Sequence, residues 1–161
     1  MALKESETSF EFKPELPDNL SRSEKKALLT DIGDYLVTEI LTYVADGNSP
    51  VSGYGEFKKL NPNYAENQKT GDRTPNLELN GDMLEALTFE IVGDAIKVGI
   101  FDDDQAIKSY GHNTGMKGHP TLEGKVPVRR FIPDKDEKLK KDITGYVETI
   151  IQDFLDDKSE D

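Results

Sequence analysis

"SRSEKKALLTDIGDYLVTEILTYVADG", residues 21–47, constrains the fold of this chain more than any other stretch. Leu29, Ile32, Leu36, Ile40 and Tyr43 recur at steps of three or four, the spacing that lines one face of an α-helix. Leu28, Tyr35 and Val44 widen that stripe. Ser21 and Glu24 have capping-box spacing, so each side chain can satisfy a backbone N–H left open at a helix start. Gly47 supplies the stop. A helix over 21–46 follows, about six to seven turns long, and it must bury one face against something.

A second stretch of the same character comes late in the chain. In "PDKDEKLKKDITGYVETIIQDFLDD" the stripe is Leu139, Ile143, Val147, Ile150 and Phe154, with Tyr146 and Ile151 beside it. Asp134 and Glu137 stand at cap-to-N3 spacing, so this helix is expected over 134–156. The elements between are shorter. Asn80 can cap a short helix through Met83, Leu84 and Leu87. "TFEI" and "AIKVGIF" alternate as strands around "VGDA", whose Gly93-Asp94 pair suits a tight hairpin. Phe89 and Ile91 should then share a face with Ile96, Val98 and Ile100. "DDDQAIKSYG" reads as a short helix with acids at its positive end and Gly111 at its exit. "VPVRRFI" reads as a strand whose Val126, Val128 and Arg130 point one way and Pro127, Arg129 and Phe131 the other.

Two irregular stretches remain, residues 48–75 and the "HNTGMKGHPTLEGK" loop. A loop as long as the first is usually functional or disordered when it sits in a compact domain. Its apolar residues Val51, Tyr54, Phe57, Leu60 and Tyr64 predict docking, either on its own domain or on another subunit. Residues 1–20 are polar, with Pro14, Pro17 and one short alternation, "SFEFKP". They read as an N-terminal arm, extended where ordered, that stays loose or lies on a neighbour. The expected architecture is a single α+β domain over 21–156, with the two long helices on one face of a small, mainly antiparallel sheet. An acidic tail follows at 157–161.

Composition narrows the chemistry. The chain has 161 residues, enough for one domain with a real core. It carries 32 Asp and Glu against 20 Lys and Arg, a net charge of -12 that repels phosphate backbones. Sequence-specific nucleic-acid binding is therefore not expected. Cysteine is absent, which removes thiolate nucleophiles, disulfides and zinc-cysteine sites. No apolar run has signal-peptide or membrane-span character, so the reading is a soluble chain without a membrane partner.

Catalytic motifs are missing. His112 and His119 flank "NTGMKG" without a metal-site spacing, and their ordinary reading is as loop residues. Asp102, Asp103 and Asp104 lack the alternating ligands of a calcium loop and fit a helix start. The glycines match neither a phosphate loop nor a dinucleotide fingerprint. No enzyme activity, cofactor or metal is expected. What stands out is Arg129-Arg130, the chain's sole Arg-Arg pair. Its plain reading is one exposed arginine and one paired with a nearby acid of the same chain. Its functional reading is a guanidinium that grips a carboxylate on a partner. Arg129, Arg130, Phe57, Tyr64 and His112 are accordingly the candidate subunit-interface residues.

The order of these elements resembles the tailed-phage neck and tail-completion proteins, the virion morphogenesis family. That family shows a Leu–x–x–Gly–x–Leu element, a strand ending in Val–Gly, a His–x–x–Gly and a Pro–x–Arg–x–Phe strand before its last helix. Here the matches are Leu77, Leu79, Gly81 and Leu84; Val98 and Gly99; His112 and Gly115; and Pro127, Arg129, Phe131 and Pro133. They span roughly residues 76–155. Asn80 stands where the family shows Thr, and Arg130 where it shows a second proline. The resemblance implies a non-enzymatic virion part at the neck or tail top, assembled in the host cytoplasm. There it would form a ring of identical subunits against neck, portal-adaptor or tail-terminator proteins, with DNA passing through. Two other classes compete: a small cellular α+β binding or regulatory module, and a small hydrolase built on His112 and an acid.

Overall fold

The computed structural model describes residues 8–57, 81–114 and 129–159. Its elements in chain order are β1 (Ser9–Phe12), α1 (Arg22–Ala45), α2 (Gly81–Glu85), β2 (Leu87–Val92), β3 (Ala95–Ile100), α3 (Asp103–Thr114) and α4 (Lys141–Ser159). The strands form an antiparallel sheet in the order β1-β3-β2. The fold is α+β, as the helical stripes and the hairpin predict.

Helix α1 begins as its sequence directs. The Ser21 hydroxyl accepts the Glu24 N–H at 3.1 Å, and the Glu24 carboxylate accepts the Ser21 N–H at 2.9 Å. The helix ends where Gly47 turns left-handed at φ 77° and gives its N–H to Val44. Leu28, Leu29, Ile32, Leu36, Ile40 and Val44 are all buried. Tyr43 sits at the edge of the stripe, half-buried, with its hydroxyl on the Asp142 carboxylate.

Helix α1 lies over β2 and β3, and α4 packs along α1. Gly33 is the point of closest approach to the sheet, since a Cβ there would stand 2.5 Å from the Phe89 ring. The hairpin keeps the expected register: Phe89 opposes Val98 and Ile91 opposes Ile96, around a turn with Gly93 at φ 63°. On α4, Ile143 and Val147 enter the same core as Ile96, Val98 and Ile100. The Tyr35 hydroxyl crosses to the Ile143 carbonyl at 2.8 Å and fixes the seam between the long helices.

Several expectations need correction. The "SFEF" run is extended but belongs to this chain's own sheet: Ser9–Phe12 pairs antiparallel with β3. Gly99 makes that pairing possible, because any Cβ there would meet Thr8 and Ser9 at 2.4 Å. Strand β2 starts at Leu87, which was expected to end α2. Helix α3 runs through Gly111 to Thr114, so His112 and Asn113 stand in its last turn rather than in a loop. Arg129 to Ile132 form no strand, while residues 126–128 lie outside the described residues.

The last helix begins at Lys141, not at 134. Asp134 and Glu137 do make their predicted local bond, Asp134 N–H to Glu137 Oε1 at 2.8 Å, but it closes only a turn. The residues that follow are drawn into a bridge instead. Val51 pairs with Leu139, Ser52 N–H reaches the Lys138 carbonyl, and Lys140 N–H reaches the Pro50 carbonyl. Those backbone groups cannot also enter a helix. The 48–57 stretch is thus docked on its own domain, with Val51 and Phe57 buried.

Candidate functional site

The arginine pair lies where three segments meet: the end of α3, the 49–54 stretch and the turn before α4. Arg129 opens the contact by giving its N–H to the His112 carbonyl at 2.7 Å. Asn113 then holds the next two residues. Its Oδ1 accepts the Phe131 and Ile132 N–H groups at 2.8 and 2.9 Å. Its Nδ2 donates to the Ser109 carbonyl and hydroxyl at 2.9 and 3.1 Å. Both Asn113 and Ser109 are buried. One side-chain amide therefore satisfies two backbone donors in the interior, where leaving them unpaired costs about 1–3 kcal/mol each.

From the other side, the Ser49 hydroxyl donates to the Arg130 carbonyl and accepts the Val51 N–H at 3.1 Å. Phe131 and Ile132 fill the interior below, fully buried. The Arg130 guanidinium lies over the Tyr54 ring, 5.9 Å from its centroid. Its Nε stands 3.2 Å from Glu137 Oε1, an ion pair by distance whose angle falls outside hydrogen-bond geometry. Arg130 thus finds its carboxylate within its own chain, as the plain reading expects of one of the pair, but neither arginine is exposed. Arg129 is buried, 7% exposed.

His112 and Arg129 are neighbours. Burial, and then the Arg129 charge, push the His112 imidazole down to about 4, so the ring is neutral at pH 7. Of the candidate interface residues, the structure brings Arg129, Arg130 and His112 into one cluster. Phe57 is a core residue instead: it is buried in the main hydrophobic cluster and gives its N–H to Gly47. Tyr64 lies outside the described residues. Among the described residues, no three His, Asp or Glu side chains gather as a metal site. No described helix is long and apolar enough to cross a membrane.

The chain matches no protein-family model, no curated protein and no solved structure. Helix α2, with Gly81 and Leu84, packs against α3, which carries His112, and α3 packs against β3, which carries Val98 and Gly99. Arg129 and Phe131 are latched to α3 by their N–H groups on His112 and Asn113, and Pro133 follows two residues on. The described motif residues thus fall on α2, β3, α3 and the segment after Arg129. Leu77, Leu79, Gly115 and Pro127 lie outside the described residues.

Sequence reasoning missed Asn113 and Ser49. Both are small polar residues whose partners lie 18 and 81 positions away, and no local pattern marks such a bond. The signal within reach was the i, i+4 pair Ser109 and Asn113 on one helix face.

Proposed function

We propose that this chain is a structural protein of the tailed-phage neck, one that completes the head–tail junction or the tail as a ring of identical subunits, without catalysis. The observation that carries the reading is the ordered set of motifs, from Gly81 and Leu84 through Val98-Gly99 and His112 to Arg129, Phe131 and Pro133. The net charge of -12 is compatible with a lumen that lets DNA pass without holding it. Partners would be further copies of the chain and the neck, portal-adaptor or tail-terminator proteins above and below. Burial and the Arg129 charge lower the His112 pKa to about 4, which makes its imidazole a weak base and disfavours a hydrolase built on it.

The test is direct. The purified chain is sedimented and imaged by negative stain, alone and with DNA-filled, tailless heads of the virion whose genome encodes it. The reading expects closed rings, or the chain bound at the head vertex. A monomer that ignores the heads would favour a cellular binding module.

A further inference from the structure

We propose that the outer edge of β2, together with the flank of α1 above it, is a self-association surface on which a second copy of this chain docks by two-fold, antiparallel β2–β2 pairing. The inference goes beyond the ring reading and does not rest on it. A two-fold contact closes after two copies, so it would hold free subunits as a dimer beside any head-to-tail contacts of a ring.

The direction of each backbone group follows from the register. Ile100 gives its N–H to Thr8, so Ile96, Val98 and Ile100 face β1, and Ala95, Lys97 and Gly99 face β2. Their β2 partners Val92, Glu90 and Thr88 therefore bond inward to β3. Leu87, Phe89 and Ile91 direct their N–H and C=O groups outward. Among the described residues, no strand pairs with that edge. Natural edges carry charged side chains, lysine above all, proline or a bulge as protection. "LTFEIV" has no lysine, proline or bulge and a single charge, Glu90; Thr88, Glu90 and Val92 are exposed, Val92 at 52%.

Charge selects the register. With the two-fold axis on Glu90, the two Glu90 carboxylates would oppose each other at the closest cross-strand distance, which is unfavourable. With the axis on Phe89, each Glu90 faces the Thr88 of the other copy. Phe89 then meets Phe89 and Leu87 meets Ile91 on the core face, and all three outward-facing residues are paired.

The helices fit the same arrangement. Tyr35 and Tyr43 occupy the α1 flank that bonds α4. Val37 and Leu41 lie on the opposite flank, half-buried. Because α1 lies over β2 and β3, its copy across the axis would be about two strand spacings away, on the order of 10 Å. That is the packing distance of two helices, so Val37 and Leu41 would gain partners.

Sedimentation over a concentration series tests this, with hydrogen exchange at the two ends of the series. A monomer–dimer equilibrium is expected, and the Phe89 and Ile91 amides should slow on association. The Thr88 and Glu90 amides, already bonded to β3, should change little. Thr88→Glu sets two like-charge pairs across the axis and should weaken the dimer about 3- to 30-fold, while Thr88→Lys should tighten it. Thr88 is exposed, and melting of the dissociated variants checks the fold. A monomer at every concentration overturns the proposal, as do equal effects of Glu and Lys or an even slowing of all four amides. Rings that persist in Thr88→Glu while the wild type shows no dimer would sink this inference and leave the ring reading intact.

Discussion

Along α1, six large apolar side chains are buried against a sheet whose inward face is Phe89, Ile91, Ile96, Val98 and Ile100. Between Arg129 and Lys140 the chain has no helix or strand, yet its path is as closely fixed, by bonds to Asn113, Ser49, Pro50 and Ser52. The first region is held by area removed from water, which is non-directional and tolerant of exchange among similar side chains. The second is held by a few directed bonds, where losing one partner strands another group. The candidate site stands on the second kind.

The largest effect is expected at the core. Leu36→Asp or Ile143→Asp would put a carboxylate among apolar side chains, at a cost of several kcal/mol against a total of about 5–15. Loss of the cooperative thermal transition is expected, and native-like melting of both variants would show that the stripes are misassigned. Next comes the latch. Asn113→Ala strands the Phe131 and Ile132 N–H groups and should cost about 2–4 kcal/mol, read as a lower urea midpoint with the folded spectrum kept.

A smaller effect depends on pH. Below about 6.5 the unfolded chain protonates His112, while the folded chain resists until about 4. The stability this residue contributes is therefore complete above pH 6.5 and lost as pH falls toward 4, by about 2–3 kcal/mol. His112→Gln should flatten that part of the stability–pH curve relative to the wild type, and identical slopes would refute it. The smallest effect is expected from Arg130→Ala, which removes a partly exposed ion pair and a ring contact worth about 0.5–1 kcal/mol together. A much larger loss would mean that the guanidinium carries the segment.

The same division decides what was legible in the sequence. Capping at Ser21, the stop at Gly47, the Gly93-Asp94 hairpin and the faces of α1, β2 and β3 all rest on short-range periodicity or turn chemistry, and they are found where the pattern puts them. The region after Arg129 is different. "VPVRRFI" has the alternation of a strand, but its described backbone donors go to Asn113 and His112 rather than to a neighbouring strand. "DKDEKLKK" has the composition of a helix start, but Val51 and Pro50 claim its backbone. Tertiary bonds to distant residues override local propensity there. Phe57 fails for a related reason, since an apolar residue in a polar loop looks the same whether it docks inward or outward. At the site, the sequence singled out Arg129, Arg130 and His112 but could not show that Glu137 and Tyr54 receive Arg130.

One buried amide, that of Asn113, holds the arginine segment in place. Native-state hydrogen exchange of the Phe131 and Ile132 amides, in the wild type and in Asn113→Ala, tests it most directly. In the wild type both amides should be strongly protected although they belong to no helix or strand. In Asn113→Ala both should lose protection together, while Val98 in the sheet keeps protection close to the global stability of the variant. Phe131 and Ile132 amides that remain as protected in Asn113→Ala as in the wild type would contradict the account.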